Sequence, residues 1–377
     1  MDPLRTPLYA QHIARRATMV PFGGWEMPLL YDGIVEEHHA VRSGAGIFDV
    51  SHMGKLLIRG AGALAAVNRV STNDVPPRPG RARYTHLCDT QGRILDDVIF
   101  TVLGDGEVFC VCNAGPRARV VAWLRQHLEG AELLDLTPDY LCLALQGPRA
   151  LEILRQFLDV DPSGMKPFWG ALATWRGPPS ETAGWEGFGD SLVKGGGGGP
   201  APSRLLLTRT GYTGEEGVEL FPHRTLAAEV WEALVAAGAK PIGLGARDTL
   251  RLEKGYLLSG QDFDGTRTSL ETGSEWLVKW DHEFLGREAM QAQKSAGTYD
   301  RLCGVLLEDR GVPRHGSEIL YGGAAIGVLT SGSMSPTLRQ GIGLGYLPPA
   351  LATPGTRVEI AVREKRLAAR VVKPPFL

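Results

Sequence analysis

The sequence predicts an α+β chain whose carboxy-terminal part forms a small antiparallel β-barrel-like domain. Three observations lead there. A length of 377 residues favours more than one domain. Two apolar runs, residues 94–103 and 107–113, flank Gly104-Asp105-Gly106, the spacing of a β-hairpin with a tight turn. From Leu302 onward the text is short strands and turns with no helical period.

The elements follow in chain order. Residues 32–43 read as a short helix, with Asp32 as N-cap and Gly44 as stop. Leu56-Leu57-Ile58-Arg59 reads as a strand, and the hairpin follows. A strand-to-helix unit then occurs twice, at Gly115-Pro116-Arg117 and at Gly147-Pro148-Arg149. In each, glycine lets the strand turn and proline suits the first helical position. Either helix start has the chemistry to hold a phosphate, but packing of a helix onto a sheet is the simpler account. Residues 177–203 are rich in Gly and Pro and read as a mobile surface insertion, with a brief apolar contact at Trp185 and Phe188. Strands at 205–208 and 218–221 bracket the segment Gly211-Tyr212-Thr213-Gly214, and helices are expected at 225–237 and 248–254. The tail strands are placed at 303–307, 325–329, 342–346, 357–362 and 367–372. Gly341, Gly343 and Gly345 read as strand glycines that permit close packing, because no crossover helix follows to make a dinucleotide site.

Composition narrows the function classes. A formal net charge of −2 argues against a partner that is nucleic acid or an anionic membrane. No apolar run approaches a membrane span, and the start lacks a signal core. The 5 cysteines are odd in number and contain no CxxC, so buried reduced thiols are expected and no metal site. The chain reads as cytoplasmic.

Several polar residues could carry chemistry. Asp96 and Asp97 begin the first hairpin strand, and alternation sends them to opposite faces. Both faces are largely apolar, so a buried carboxylate here needs a partner. A strand-end pair, one solvated and one capping a turn, is the plainer account from spacing alone. Asn113 ends the second hairpin strand and lies near the aspartates if the register is simple; it could equally be a turn residue. Tyr84 is either core or ligand platform. Glu219 and Arg247 stand 28 positions apart and are either an exposed ion pair or a clamp for a heterocycle, the carboxylate accepting and the guanidinium donating. Ser51-His52 and His38-His39 lack the spacing of a triad or of a metal helix and read as structural.

Taken together, the segments Thr6-Pro7-Leu8-Tyr9, Phe48-Asp49-Val50-Ser51-His52-Met53, Gly92-Arg93-Ile94-Leu95-Asp96-Asp97, Gly211 to Glu219, Gly243 to Glu253, Leu258-Ser259-Gly260-Gln261-Asp262 and Thr330 to Thr337 resemble the aminomethyltransferase family, the T-proteins of the glycine cleavage system. The motifs lie in the family order across nearly the whole chain. The resemblance implies three domains around a central channel for tetrahydrofolate. Residues 1–52 plus 137–245 would form a discontinuous first domain, 53–136 a second α+β domain, 246–300 a helical connection and 301–377 the carboxy-terminal β domain. It implies transfer of an aminomethyl group from the lipoyl arm of a carrier protein (the H-protein, with other glycine cleavage components as partners) to tetrahydrofolate. Ammonia leaves and 5,10-methylenetetrahydrofolate forms. Asp96 matches the catalytic carboxylate; Glu219 and Arg247 match folate-binding positions; Met53, Tyr84, Asn113, Tyr212 and Trp276 match the channel wall.

The expectation is that Asp96→Asn slows ammonia release far more than it weakens folate binding. Two departures stand out: the insertion at 177–203, which leaves the flanking motifs intact, and an end at Pro374-Pro375-Phe376-Leu377, earlier than is usual in the family. Two relatives compete. A folate-binding protein of iron–sulfur cluster repair is disfavoured because no cysteine stands in the stretch Glu253 to Asp262. A folate-dependent demethylase would be fused to a flavin domain, whose glycine fingerprint is missing; a stand-alone demethylase stays open.

Overall fold

The computed structural model describes residues 2–104, 106–177 and 204–377. The readings made for Asp105 and for 178–203 lie outside them.

Two sheets face each other. The first has six strands in the order Gly170–Thr174, Arg204–Thr208, Gly217–Phe221, Leu143–Gln146, Gly46–Asp49 and Lys240–Pro241, antiparallel except for the last pair. Its strands alternate between two cores with the period of 2 that a sheet imposes. Ile47, Leu143, Leu145, Leu205, Leu207, Val218 and Leu220 pack on Val230, Trp231 and Leu234 of helix Ala227–Ala236. Phe48, Ala144, Leu206 and Phe221 point the other way, onto Phe109 and Val111 of the second sheet.

That second sheet has five antiparallel strands, ordered Ala82–Cys88, Ile94–Gly104, Glu107–Cys112, Gly54–Arg59 and Glu132–Asp135. Its outer face carries Leu56, Ile58, Val98, Phe100, Val102 and Cys110, covered by Val67, Val70, Val120 and Leu124 of helices Ala63–Val70 and Arg117–His127. The hairpin forms as expected, with Ile99 opposite Val111 and Gly104 opposite Glu107. Both strand-to-helix units also form, although the second helix, Ala150–Leu154, is only 5 residues long.

The tail closes into a six-stranded barrel, Arg301–Leu307, Gln340–Leu347, Ala324–Ser335, Glu318–Tyr321, Arg357–Val362 and Lys365–Val372. Five strands match the sequence reading. The sixth, Glu318–Tyr321, was not expected, because four residues with exposed ends give no alternation to read. Gly345 shows why the barrel needs glycines: a Cβ there would lie 2.8 Å from Val328 O and 2.8 Å from Ile319 Cδ1.

Three further expectations shift. The first long helix runs Ile34–Ser43 and Asp32 does not cap it. Instead the buried Glu37 carboxylate accepts from the Tyr31, Asp32 and Gly33 amides at 2.6, 3.0 and 3.3 Å, and from the Gly243 amide at 2.7 Å. The helix expected from Asp248 begins four residues earlier, at Leu244–Glu253. The stretch 246–300 is helical only there and at Arg287–Ala296. Between them lie turns broken by Gly255, Gly260, Gly265 and Gly273, all at positive φ, and one 3-10 turn at Glu275–Leu277.

Candidate active site

The site begins where the hairpin strand emerges from between the sheets. Register puts Tyr84 opposite Ile99 and His86 opposite Asp97, so Tyr84, His86, Asp97, Ile99 and Val111 share the face toward the six-stranded sheet. Asp96 pairs with Leu87 and shares the outer face with Val98 and Phe100.

Asn113 ties the two carboxylates together. Its amide nitrogen Nδ2 donates to Asp96 Oδ1 at 2.9 Å and to Asp97 Oδ1 at 2.6 Å, and its backbone N–H donates to Asp96 Oδ2 at 2.9 Å. Ser259 Oγ donates to Asp96 Oδ1 at 2.8 Å, and Tyr84 Oη donates to Asp97 Oδ2 at 2.8 Å. Asp96 is 0% exposed, whereas Asp97 is half-buried. Burial raises the Asp97 pKa against the Tyr84 and Asn113 donors. The sequence reading placed the chemistry at Asp96. The structure sets Asp96 behind the strand and presents Asp97 on the inter-sheet face.

Across from this pair, Glu219 leaves its strand on the same inter-sheet face as Phe221, and it is 8% exposed. Its Oε2 accepts from Thr210 Oγ1 at 2.5 Å. Burial raises its pKa, opposed by Thr210 and by the positive charge of Arg247. Arg247 lies in the first turns of helix Leu244–Glu253, and its guanidinium sits 4.5 Å over the Tyr212 ring. Among the described residues it makes no side-chain hydrogen bond and no ion pair within 4.0 Å, so it is not the exposed salt bridge that spacing alone allowed. Tyr212 Oη is fixed on the Leu257 carbonyl. The glycines of the Tyr212 segment are there for space: a Cβ on Gly211 would meet Gln146 Oε1 at 1.9 Å, and Gly214 has φ +76°.

Trp276 is 65% exposed and leans on Tyr84 with 6.2 Å between ring centroids. Met53 packs partly buried against the inter-sheet core. Asp96, Asp97, Asn113, Tyr84 and Trp276 thus form one contacting group, and Arg247 and Tyr212 another, with Glu219 on the same inter-sheet face as Asp97.

Three neighbours of the site were given no role from sequence. Asp97 was paired with Asp96 and sent to the opposite face by alternation, but the chemistry was placed at Asp96. Ser259 entered only within the segment Leu258 to Asp262, where nothing marks it as a partner of Asp96. His52 is buried beside Arg247 with Nδ1 unpartnered. Burial, then the Arg247 charge, lower its pKa to about 3 and keep it neutral. Among the described residues no group of His, Cys, Asp and Glu is placed to hold a metal ion.

The arrangement offers a guanidinium with free donors and a buried carboxylate at one end, and a paired carboxylate under an aromatic rim at the other. A flat heterocycle with both donor and acceptor edges fits the first, and a reaction that develops positive charge fits the second.

Comparison with known proteins places the chain in a family. The model of the GCVT N-terminal domain matches residues 8–177 and 200–282, and that of the glycine cleavage T-protein C-terminal barrel domain matches residues 301–377. An aminomethyltransferase from Geobacillus thermodenitrificans is 40% identical over 99% of this chain and 98% of its own length. One from Thermosynechococcus vestitus is 42% identical over 99% of this chain and 95% of its own. The crystal structure of the glycine cleavage system aminomethyltransferase T from Bartonella henselae superposes with a TM-score of 0.87 at 29% identity, covering 99% of this chain and 98% of that one. The chain belongs to the glycine cleavage T-protein family. Its activity is that of an aminomethyltransferase.

Proposed function

We infer that the enzyme accepts the aminomethyl group carried on the lipoyl sulfur of an H-protein-type carrier and transfers it to tetrahydrofolate, releasing ammonia and 5,10-methylenetetrahydrofolate. The observation that carries this reading is Asp97: a half-buried carboxylate, fixed by Tyr84 and Asn113, on the face that also presents Glu219. The residues fit the folate on two counts. Arg247 keeps donors without a protein partner, and Glu219 has one oxygen beyond its bond to Thr210. Glu219 would accept from the pterin amino group and ring N–H, and Arg247 would donate to its acceptor edge. Tyr84, Tyr212 and Trp276 would wall the ligand, and Met53 would back it.

Bound tetrahydrofolate supplies the nucleophilic N5 and the N10 that closes the new ring. Two bonds to the transferred carbon break: its nitrogen leaves as ammonia and the lipoyl sulfur as a thiol, and they take up the protons that N5 and N10 give up. Asp97 would stabilise the iminium-like carbon and relay the N10 proton. Asp96 and Asn113 hold that carboxylate in place. Holding the folate in reach of the lipoyl arm would remove much of the entropic barrier of bringing the two together. Five buried free thiols support a reducing compartment, the cytoplasm.

The test is ammonia release from an aminomethyl-lipoyl carrier with tetrahydrofolate. Wild type should release ammonia only when both are present. Asp97→Asn should lower kcat by about 100-fold or more with a small change in folate affinity. Absence of folate-dependent release from wild type removes the assignment; a normal kcat for Asp97→Asn removes the role of this carboxylate.

A further inference from the structure

The two aspartates differ in one respect that decides their chemistry. They are neighbours in sequence and share the nitrogen of one amide, Asn113 Nδ2. Among the described residues neither has an ion pair within 4.0 Å. The groups that face them are neutral or of like charge. Tyr84 and His86 come from the adjacent strand, Cys110 and Cys112 from the other hairpin strand, Tyr212 from the opposite sheet's loop and Ser259 from the turn after Leu258. Arg119 on helix Arg117–His127 donates to the Leu95 carbonyl at 2.7 Å and forms no ion pair with either carboxylate. Two carboxylates that share one amide nitrogen, with no ion-paired cation, do not both ionise at the pH of an ordinary carboxyl. Exposure then selects which one keeps the charge. Asp97 is half-buried and Asp96 has no exposed surface.

We propose that Asp96 keeps its proton well above the pH at which ordinary carboxyls ionise and is a positioning residue, so that Asp97 is the first of the two to carry the negative charge presented to the reacting amine. Burial first, then the charge of Asp97, push Asp96 up to about 7, against the donors from Asn113 and Ser259. A neutral Asp96 still accepts from Asn113, so the shared amide keeps both carboxyl groups in register. A second anion would instead repel Asp97. The value of this device to the reaction rests on the function inferred above; the protonation state itself does not.

The experiment is an infrared titration of the full-length protein carrying isotopically labelled aspartate, without substrates. In wild type, one protonated aspartic carboxyl band persists at about pH 6, where ordinary carboxyls are ionised, and it disappears with a midpoint near 7. Asp96→Asn abolishes the band. Asp97→Asn lowers its midpoint by about one pH unit or more, because the neighbouring charge is gone. Ser259→Ala raises it, because a donor to the ionised form is gone. A wild-type protein with no such band overturns the proposal. So does a band that survives Asp96→Asn, or a midpoint that Asp97→Asn leaves in place. If Asp96→Asn fails to fold, the opposite shifts of the other two variants decide. Because no turnover is needed, a failed titration is distinct from a failed ammonia assay.

Discussion

Arg247 is a half-buried cation that stacks on the Tyr212 ring and, among the described residues, makes no side-chain hydrogen bond or ion pair. Burial lowers its pKa, with Tyr212 and Glu219 pulling the other way. A guanidinium left with free donors in such a place is poised for an acceptor that arrives with the ligand. Arg247→Met keeps the stem over Tyr212 and removes the donors. Its Kd for tetrahydrofolate should rise roughly 10- to 100-fold, the worth of a charge-assisted hydrogen bond, while kcat at saturating folate changes far less. Quenching of tryptophan fluorescence measures this, and an unchanged Kd would place the pterin elsewhere. Tyr84 acts on the other half of the site. Its hydroxyl donates to Asp97 at 2.8 Å and so favours the ionised carboxylate. Tyr84→Phe should raise the Asp97 pKa and move the acid limb of the kcat profile to higher pH by about 0.5–1 unit. A limb that stays put, or moves down, contradicts the bond as a determinant of catalysis.

The hairpin shows what sequence can and cannot say about an element. Alternation from 94 to 103 and the glycine turn specify two strands, and a register shift between Val102 and Gly104 brings Asn113 into line with the aspartates. Which aspartate meets the ligand is a question about the sheet's two faces. That depends on where the second sheet lies, a long-range fact that pattern does not carry. The same gap explains Glu37. A glutamate in the first turn of an amphipathic helix reads as a solvated charge complementing the dipole. In the fold it is wholly buried and accepts four backbone amides from two separate segments, because the turn at Gly243 packs against the helix start. Asp32, the capping residue by rule, points to Lys240 at the surface. Glu37→Gln would set an amide N–H against those donors. It should destabilise the protein by about 2–4 kcal/mol, read as a lower urea midpoint with an unchanged slope. A loss comparable to that of a surface glutamate would mean that the four bonds are individually weak.

At the scale of the molecule, helix Leu244–Glu253 joins the barrel to the two-sheet body. Its first turns carry Arg247 into the site, and its last residue, Glu253, is fully buried. Glu253 accepts from Arg42 Nη2 at 2.7 Å in helix Ile34–Ser43, from Ser335 Oγ at 2.5 Å in the barrel, and from Thr337 N at 3.1 Å; His38 Nε2 lies 3.2 Å away. Arg251, two residues earlier, holds Asp262 at 2.8 Å and Ser331 at 2.8 Å. The tail adds a strap, with the Phe376 amide donating to the Glu253 carbonyl at 2.9 Å. One helix therefore fixes the distance between site and barrel, and its charge state should govern acid stability. Burial raises the Glu253 pKa, but the bonds from His38, Ser335 and Arg42 outweigh it and bring the value down to about 2. A carboxylate depressed in the folded state stabilises above its unfolded pKa of about 4.3. That contribution is lost as pH falls from there toward the folded value. Asp49, down to about 2 through His12, Ser51 and Thr6 despite its burial, adds the same sign in the same window. Thermal stability should thus fall steeply below about pH 4. Glu253→Gln should lower Tm at neutral pH and flatten that acid fall, because the mutated side chain no longer titrates. An acid limb as steep in Glu253→Gln as in wild type would assign acid unfolding to other carboxylates, and to Asp49 first.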